Sequence, residues 1–164
     1  MTDDQSTIHG LVVAELRGPD GKLKARCETR NLITAVGDQF YAGRAALLSG
    51  LPAQVTGMKL GAGSTAVAKT GAGAALVTYL SNSHQALTST VTAVAGVVTF
   101  VAAFAAGKAT TASPITEAVL CTDALADATS TAANTIARVL LSGIGSKGAS
   151  DTLTVTWTHT ILGA

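Results

Sequence analysis

Residues 147–162, KGASDTLTVTWTHTIL, are the stretch whose reading decides the fold. From Thr152 the alternation is complete. Leu153, Val155, Trp157, His159 and Ile161 point one way, and Thr152, Thr154, Thr156, Thr158 and Thr160 point the other. Successive side chains of a strand face opposite sides, so the pattern predicts one apolar face and one threonine face. β-branched threonine suits a pleated surface, and its hydroxyl keeps an outer face wet. The only tryptophan, Trp157, lies mid-strand on the inner face. Gly148 and the polar Ser150-Asp151 supply a turn into the strand. The expectation is a closing core strand with no chemistry of its own.

Upstream of this strand the chain is punctuated at short intervals. Residues 136–142 (IARVLLS) read as a strand, and residues 123–135 (DALADATSTAANT) as a polar, small-residue loop. Residues 115–122 (ITEAVLCT) read as a strand with Glu117 outward or at an edge. Residues 107–114 are a connection. Residues 86–95 and 97–105 predict a hairpin around Gly96, with Val98, Phe100, Ala102 and Phe104 on the inner face of its return strand.

The N-terminal part opens with a strand over residues 6–17 (STIHGLVVAELR). Gly18-Pro19-Asp20-Gly21 turns it: proline presets φ and glycine accepts positive φ. Residues 22–33 predict the return strand, with Leu23, Ala25, Cys27, Thr29, Asn31 and Ile33 on one side. Lys22, Lys24, Arg26, Glu28 and Arg30 form a charged, solvated face on the other. From residue 34 the period changes. Val36, Phe40, Gly43 and Leu47 recur at helical spacing, which predicts one short amphipathic helix over residues 34–48. Thr34 is placed to cap it, and Gly50 to end it. Asp38 and Arg44 fall on its wetter side. Residues 57–62 (GMKLGA) are a short strand, followed by a flexible Gly/Ala/Thr loop.

About eight short strands and one early helix predict a mainly β fold: an antiparallel β-sandwich or jelly-roll-like domain with an N-terminal β-hairpin. The chain's 164 residues suit one domain, read as residues 6–164 behind a polar N-terminal arm at residues 1–5.

Composition narrows the function classes. Charged residues make up 13% and the net charge is +1, so the basic footprint of a nucleic-acid binder is missing. Aromatics make up 4%, too few for an aromatic-lined small-molecule pocket or a stacking surface for sugars. No charged residue occurs from Thr70 to Gly107. Its apolar core, residues 91–107, is nevertheless shorter than the ~20 residues of a membrane helix, and glycine and threonine interrupt it. No membrane span is expected. The start, MTDDQST, is acidic and polar, unlike an ordinary secretory signal.

The residue patterns of catalysis do not assemble. His9, His84 and His159 each stand alone in sequence, without metal-ligand spacing. Cys27 and Cys121 fall in strands without a CxxC neighbour, and whether they pair is open. No serine sits in a G-x-S-x-G elbow. Asp3 and Asp4 lie in the leader, Asp20 and Asp151 in turns. Residues 63–70 (GSTAVAKT) miss a phosphate loop, because Ala68 stands where a glycine must let the backbone approach phosphate. The expectation is no catalytic, cofactor or metal site, and no enzyme.

The ordered set of segments resembles the small β-sandwich structural proteins of tailed bacteriophages. The residues that carry the resemblance are Asn31 to Thr34 before the helix, Leu60 to Gly63 after it, Ile115 to Glu117, and Lys147 with Asp151 to Trp157. It runs from about residue 7 to residue 162. The chain departs from the usual pattern in the alanine- and glycine-rich segment after Leu60 and in its charge-poor apolar hairpin. The resemblance implies a virion structural protein: a head-decoration (cement) protein on the capsid lattice, assembled in the host cytoplasm, or else a tail- or fibre-associated module. With it comes the expectation of a homo-oligomer, a trimer first, joined through the uncharged stretch 70–107, with no nucleic-acid or membrane partner.

Overall fold

Thr7–Arg17 (β1) and Leu23–Arg30 (β2) form the charged hairpin. Gly21 takes a positive φ of 76° in its turn, and the amide of Lys22 donates to Asp20 Oδ1 at 3.1 Å. The structure is a computed structural model and describes residues 7–89, 92–94 and 96–162. The arm read at residues 1–5, and Thr90, Val91 and Ala95 of the apolar hairpin, lie outside the described residues.

The remaining elements are Leu32–Ile33 (β3), Ala35–Ala45 (α1), Gly57–Gly61 (β4), Tyr79–Ala86 (β5), Thr92–Val94 (β6), Val97–Phe104 (β7), Glu117–Cys121 (β8), Thr135–Leu140 (β9) and Thr152–Leu162 (β10). Short 3-10 turns occur at Gly71–Ala74 and Ala132–Asn134. The strands form two five-stranded antiparallel sheets, ordered β2-β1-β10-β7-β6 and β3-β9-β8-β4-β5. This is the β-sandwich that the alternation predicts. The threonine strand β10 is the centre of the first sheet, paired with β1 along eleven residues and with β7 along eight.

The core lies between the sheets. Val12, Ala14, Leu16, Phe100, Phe104, Leu153, Val155 and Trp157 come from the first sheet, and Met58, Leu60, Leu120 and Val139 from the second. Burying one such large side chain contributes roughly 1.5–3 kcal/mol.

Several expectations need correction. The return strand over residues 22–33 is not continuous. It stops at Arg30, and β3 pairs with β9 in the other sheet. Asn31 is the crossing point. The hairpin read over residues 86–95 is also divided. Residues 79–86 are an edge strand of the second sheet, while β6 pairs with β7 around Gly96 and the Thr88 amide donates to Val101 O at 2.8 Å. The helix is capped by Thr34, whose side chain accepts from the Gly37 amide at 3.0 Å. It ends at Ala45 rather than near Gly50, so Leu47 and Leu48 are exposed instead of packed. Ile161 is partly exposed as well, since β10 runs past the core there.

The largest correction concerns Glu117. It is fully buried in a central strand, not outward or at an edge. The reason is a cover. In β4 and β8 every residue is buried, and in β9 all but the last. Register places Lys59, Glu117, Val119, Cys121 and Arg138 on the face away from the core. That second face is roofed by α1 and by the loops 62–78 and 123–134.

Buried polar groups hold the roof down. Glu117 Oε1 accepts from the amides of Gly63 and Thr78 at 3.0 and 2.8 Å. Val77 N donates to both carboxylate oxygens at 3.2 Å. Arg138 donates to the carbonyls of Thr65 and Gly73 at 2.8 and 3.2 Å, and through Nε and Nη2 to Glu117. Lys59, also fully buried, donates to Ala128 O at 2.8 Å and lies 3.3 Å from Asp123. A buried charge persists only when paired and hydrogen-bonded, and each of these is. The Gly/Ala/Thr loop read as flexible is thus tied at both ends of its roof.

Candidate interaction surface

Among the described residues, no such roof lies over the first sheet. Its outer face can be read row by row from the register. One row is Arg26, Glu15, Thr154 and Ala103; the next is Glu28, Val13, Thr156 and Val101. A third is Arg30, Leu11, Thr158 and Thr99, and the last is His9, Thr160 and Val97. The β10 threonines from Thr154 to Thr160, and Val97, Thr99, Val101 and Ala103 of β7, are half-buried by one another and by their neighbours. Leu11 is 42% exposed.

Charge lies on β2 and the adjoining end of β1, and is largely neutralised there. Arg26 Nη2 lies 2.5 Å from Glu28 Oε2, and Arg26 Nε lies 3.5 Å from Glu15. Arg17 lies 3.0 Å from Glu15. Exposed ion pairs of this kind add little stability, but they leave the face close to neutral. The result is a broad sheet face of valine and threonine, uncharged at its centre.

The edge of this sheet near Asn31 holds a buried polar network. The Tyr41 hydroxyl donates to His159 Nδ1 at 2.5 Å. With its amide oxygen turned inward, Asn31 accepts from Trp157 Nε1 and His159 Nε2, both at 3.2 Å, and its nitrogen donates to Gly10 O at 3.0 Å. That arrangement satisfies every group and fixes the Nε2–H tautomer of His159. Burial pushes the His159 ring down to about 4 and raises the Tyr41 hydroxyl, so both are neutral near pH 7. Beside the network lies a mostly apolar cleft of about 670 Å³ between Ile8, Ile161, Leu32, Tyr41 and Ala45. The ion pair of Asp38 and Lys69, at 2.6 Å, belongs to its wall.

A second polar cluster joins β5 to two loops. Tyr79 donates to Asp127 Oδ1 at 2.5 Å, and the Asn82 amide donates to the same oxygen at 2.9 Å. His84 Nδ1 lies 3.5 Å from Asp127. Lys108 donates to Asn82 Oδ1 at 3.0 Å, and Asn82 Nδ2 to Gly107 O at 3.1 Å. The Tyr79 hydrogen bond, with that from Asn82, holds the Asp127 carboxyl below the usual carboxylate range. Sequence reading left His84 isolated. Tyr79 lies five positions away, but Lys108 and Asp127 lie 24 and 43 positions away, and no local pattern announces them. Each group is used in tying β5 to the loops 105–109 and 123–134.

The remaining singled-out residues have structural places. Trp157 is fully buried, so it offers no sugar platform. Cys27 and Cys121 are both buried and free. Burial pushes the Cys121 thiol up to about 12. Lys69 of the near phosphate loop pairs with Asp38. Asp151 is a buried pin rather than a simple turn residue. It accepts from Lys24 at 2.7 Å and from Gly148 N at 2.9 Å, and those bonds hold it below its ordinary value. Lys147 is buried too, donating to Ala105 O at 3.0 Å, and burial lowers its ammonium. Among the described residues, no three His, Cys, Asp or Glu side chains are grouped closely enough to hold a metal ion, and no helix is long and apolar enough to cross a membrane.

The chain matches no protein-family model, no curated protein and no solved structure.

Proposed function

We propose that this chain is a virion structural protein that decorates the outside of a tailed-phage head and reinforces its lattice. One observation carries the reading: the strands β9, β8 and β4 of one sheet are roofed and pinned from within, while the other sheet presents a broad face of valine and threonine, uncharged at its centre. Such a division suits a module built to be covered by neighbours in an assembly. The buried ionisable groups described above are spent on holding loops.

The resemblance to phage structural proteins adds to this reading. Its motif residues are pins of the fold. Asn31 holds Trp157 and His159, Glu117 holds the roof, and Lys147 and Asp151 brace the turn into β10. They specify the sandwich and leave the docking surface to other residues.

A candidate contact with the shell is the knob at the end of α1. Leu47 is 92% exposed and Leu48 is 60% exposed. Leu47 also adopts a φ of 52°, which costs a leucine roughly 1 kcal/mol. Exposed leucine in a strained conformation is what a partner surface would bury. Repetition of such a contact over a shell raises the cost of separating its subunits.

Immunogold labelling of intact virions tests the proposal. Label spread over the head is the expected result. Label confined to the tail or its tip would replace this reading with that of a tail- or fibre-associated module. Virions without label would remove the virion role.

A further inference from the structure

We infer that the outer face of the β2-β1-β10-β7-β6 sheet is the contact between two copies of this chain, packed sheet on sheet about a two-fold axis. The inference rests on the bare face and does not require the virion reading.

Three observations favour a second copy over another occupant. The first is chemical. Thr154, Thr156, Thr158 and Thr160 form a ladder along β10, with Thr99 opposite Thr158. A hydroxyl is donor and acceptor at once, so a threonine ladder is complementary to itself. A face of arginine or of aspartate is not. The valines beside it, Val13, Val97 and Val101, supply apolar surface of the same kind to both sides.

The second observation is electrostatic. On the face, Arg17, Arg26 and Arg30 stand against Glu15 and Glu28, and the short ion pairs tie Glu15 and Glu28 to Arg17 and Arg26 within one sheet. A strongly acidic or basic partner would find little to recognise. A copy with the same near-neutral face meets no repulsion at its centre.

The third is size. Five strands ~4.8 Å apart and nine residues at ~3.3 Å each give a face on the order of 600 Å² in projection. Its accessible area is larger, because side chains stand out from it. That reaches the scale of the ~800 Å² per partner found in stable dimers. Two such faces pack ~10 Å apart with their strands within ~30° of each other.

The uncharged stretch 70–107 is divided between the two sheets. Residues 70–78 roof the second sheet, β5 is an edge of that sheet, and β7 belongs to the first. The neutral surface is therefore built by β1, β10 and β7 together, which sequence adjacency does not reveal.

Sedimentation of the full chain, with mass measured across a concentration series, tests the inference. The wild type is expected at twice the 16.3 kDa chain mass. Thr156→Lys and Thr158→Lys place charge in the centre of the face, and the double variant is expected to weaken association at least a hundredfold. Near-ultraviolet circular dichroism of the buried Trp157 checks that the variants fold. Thr156→Cys is expected to give a disulfide-linked dimer on mild oxidation, since a residue near a two-fold axis meets its own copy. A monomer at 100 µM, a trimer, or association that folded lysine variants leave unchanged would overturn the inference. Because association is measured without virions, its failure and that of the decoration reading are separately visible.

Discussion

Arg138 donates from Nε and Nη2 to one oxygen of Glu117, Oε2, at 3.1 and 2.7 Å, with neither side chain exposed to solvent. The pair spans adjacent strands β8 and β9, and its remaining bonds all run outward to loop 62–78. It therefore decides whether one face of the sandwich is roofed.

Breaking that pair from one side leaves a buried charge without its partner. Glu117→Ala and Arg138→Ala are each expected to cost ~3–5 kcal/mol in denaturant unfolding. The double variant is expected to cost less than the two together, because neither charge is then stranded. Strict additivity would show that the residues act independently.

The stability of the fold is expected to fall with acid through His159. Its folded-state value is about 4 against an ordinary 6.5, because burial disfavours the charged ring. The unfolded chain then binds more protons below pH 6.5, so the contribution is complete above that pH. It is lost as the pH falls toward 4. For this fully buried ring the loss is on the order of 3 kcal/mol. Urea unfolding between pH 7 and pH 4 measures it, and His159→Gln is expected to flatten that part of the profile. A profile unchanged by the substitution would assign the acid sensitivity elsewhere.

Gly37→Ala sets two effects against each other. Alanine favours a helix over glycine by ~1 kcal/mol. A Cβ at residue 37 would lie 2.1 Å from the carbonyl oxygen of Ile136 and 2.7 Å from Ile33 Cγ2. The oxygen belongs to the β9 backbone, which cannot retreat cheaply, and overpacking of this sort costs ~1–3 kcal/mol. The clash is expected to win, with a net loss of ~1–2 kcal/mol and a helix displaced from the sheet. A stabilised variant in thermal unfolding would mean that α1 sits farther from β9.

Leu47→Asn separates folding from docking. Asparagine tolerates a positive φ better than leucine, so stability is expected to hold or rise by up to ~1 kcal/mol. Attachment to purified shells is expected to fall at least tenfold if the leucine knob is the contact. Equal occupancy of wild type and variant, measured by densitometry on saturated particles, would move the contact to another surface.

Sequence alone determined much of this protein. The period-two pattern of β10 and of the first hairpin is local, so it announced the sandwich and the inner position of Trp157, as the switch to helical spacing announced the cap at Thr34. The signals for the interaction surface were half legible. The threonine face of β10 was written in one strand, but its neighbours β1 and β7 lie far away in the chain, the nearer of them about 50 positions upstream. Only the tertiary structure decided which side of each sheet would be covered. Glu117 looks like an outward residue because a carboxylate in a strand ordinarily faces water; three backbone amides and Arg138 reverse that preference. Asn31 likewise looks like one more residue of a strand until Gly10, Trp157 and His159 gather around it. Such partners meet across long sequence separations, where hydrogen bonding and desolvation outweigh local propensity and leave no periodic trace in the chain.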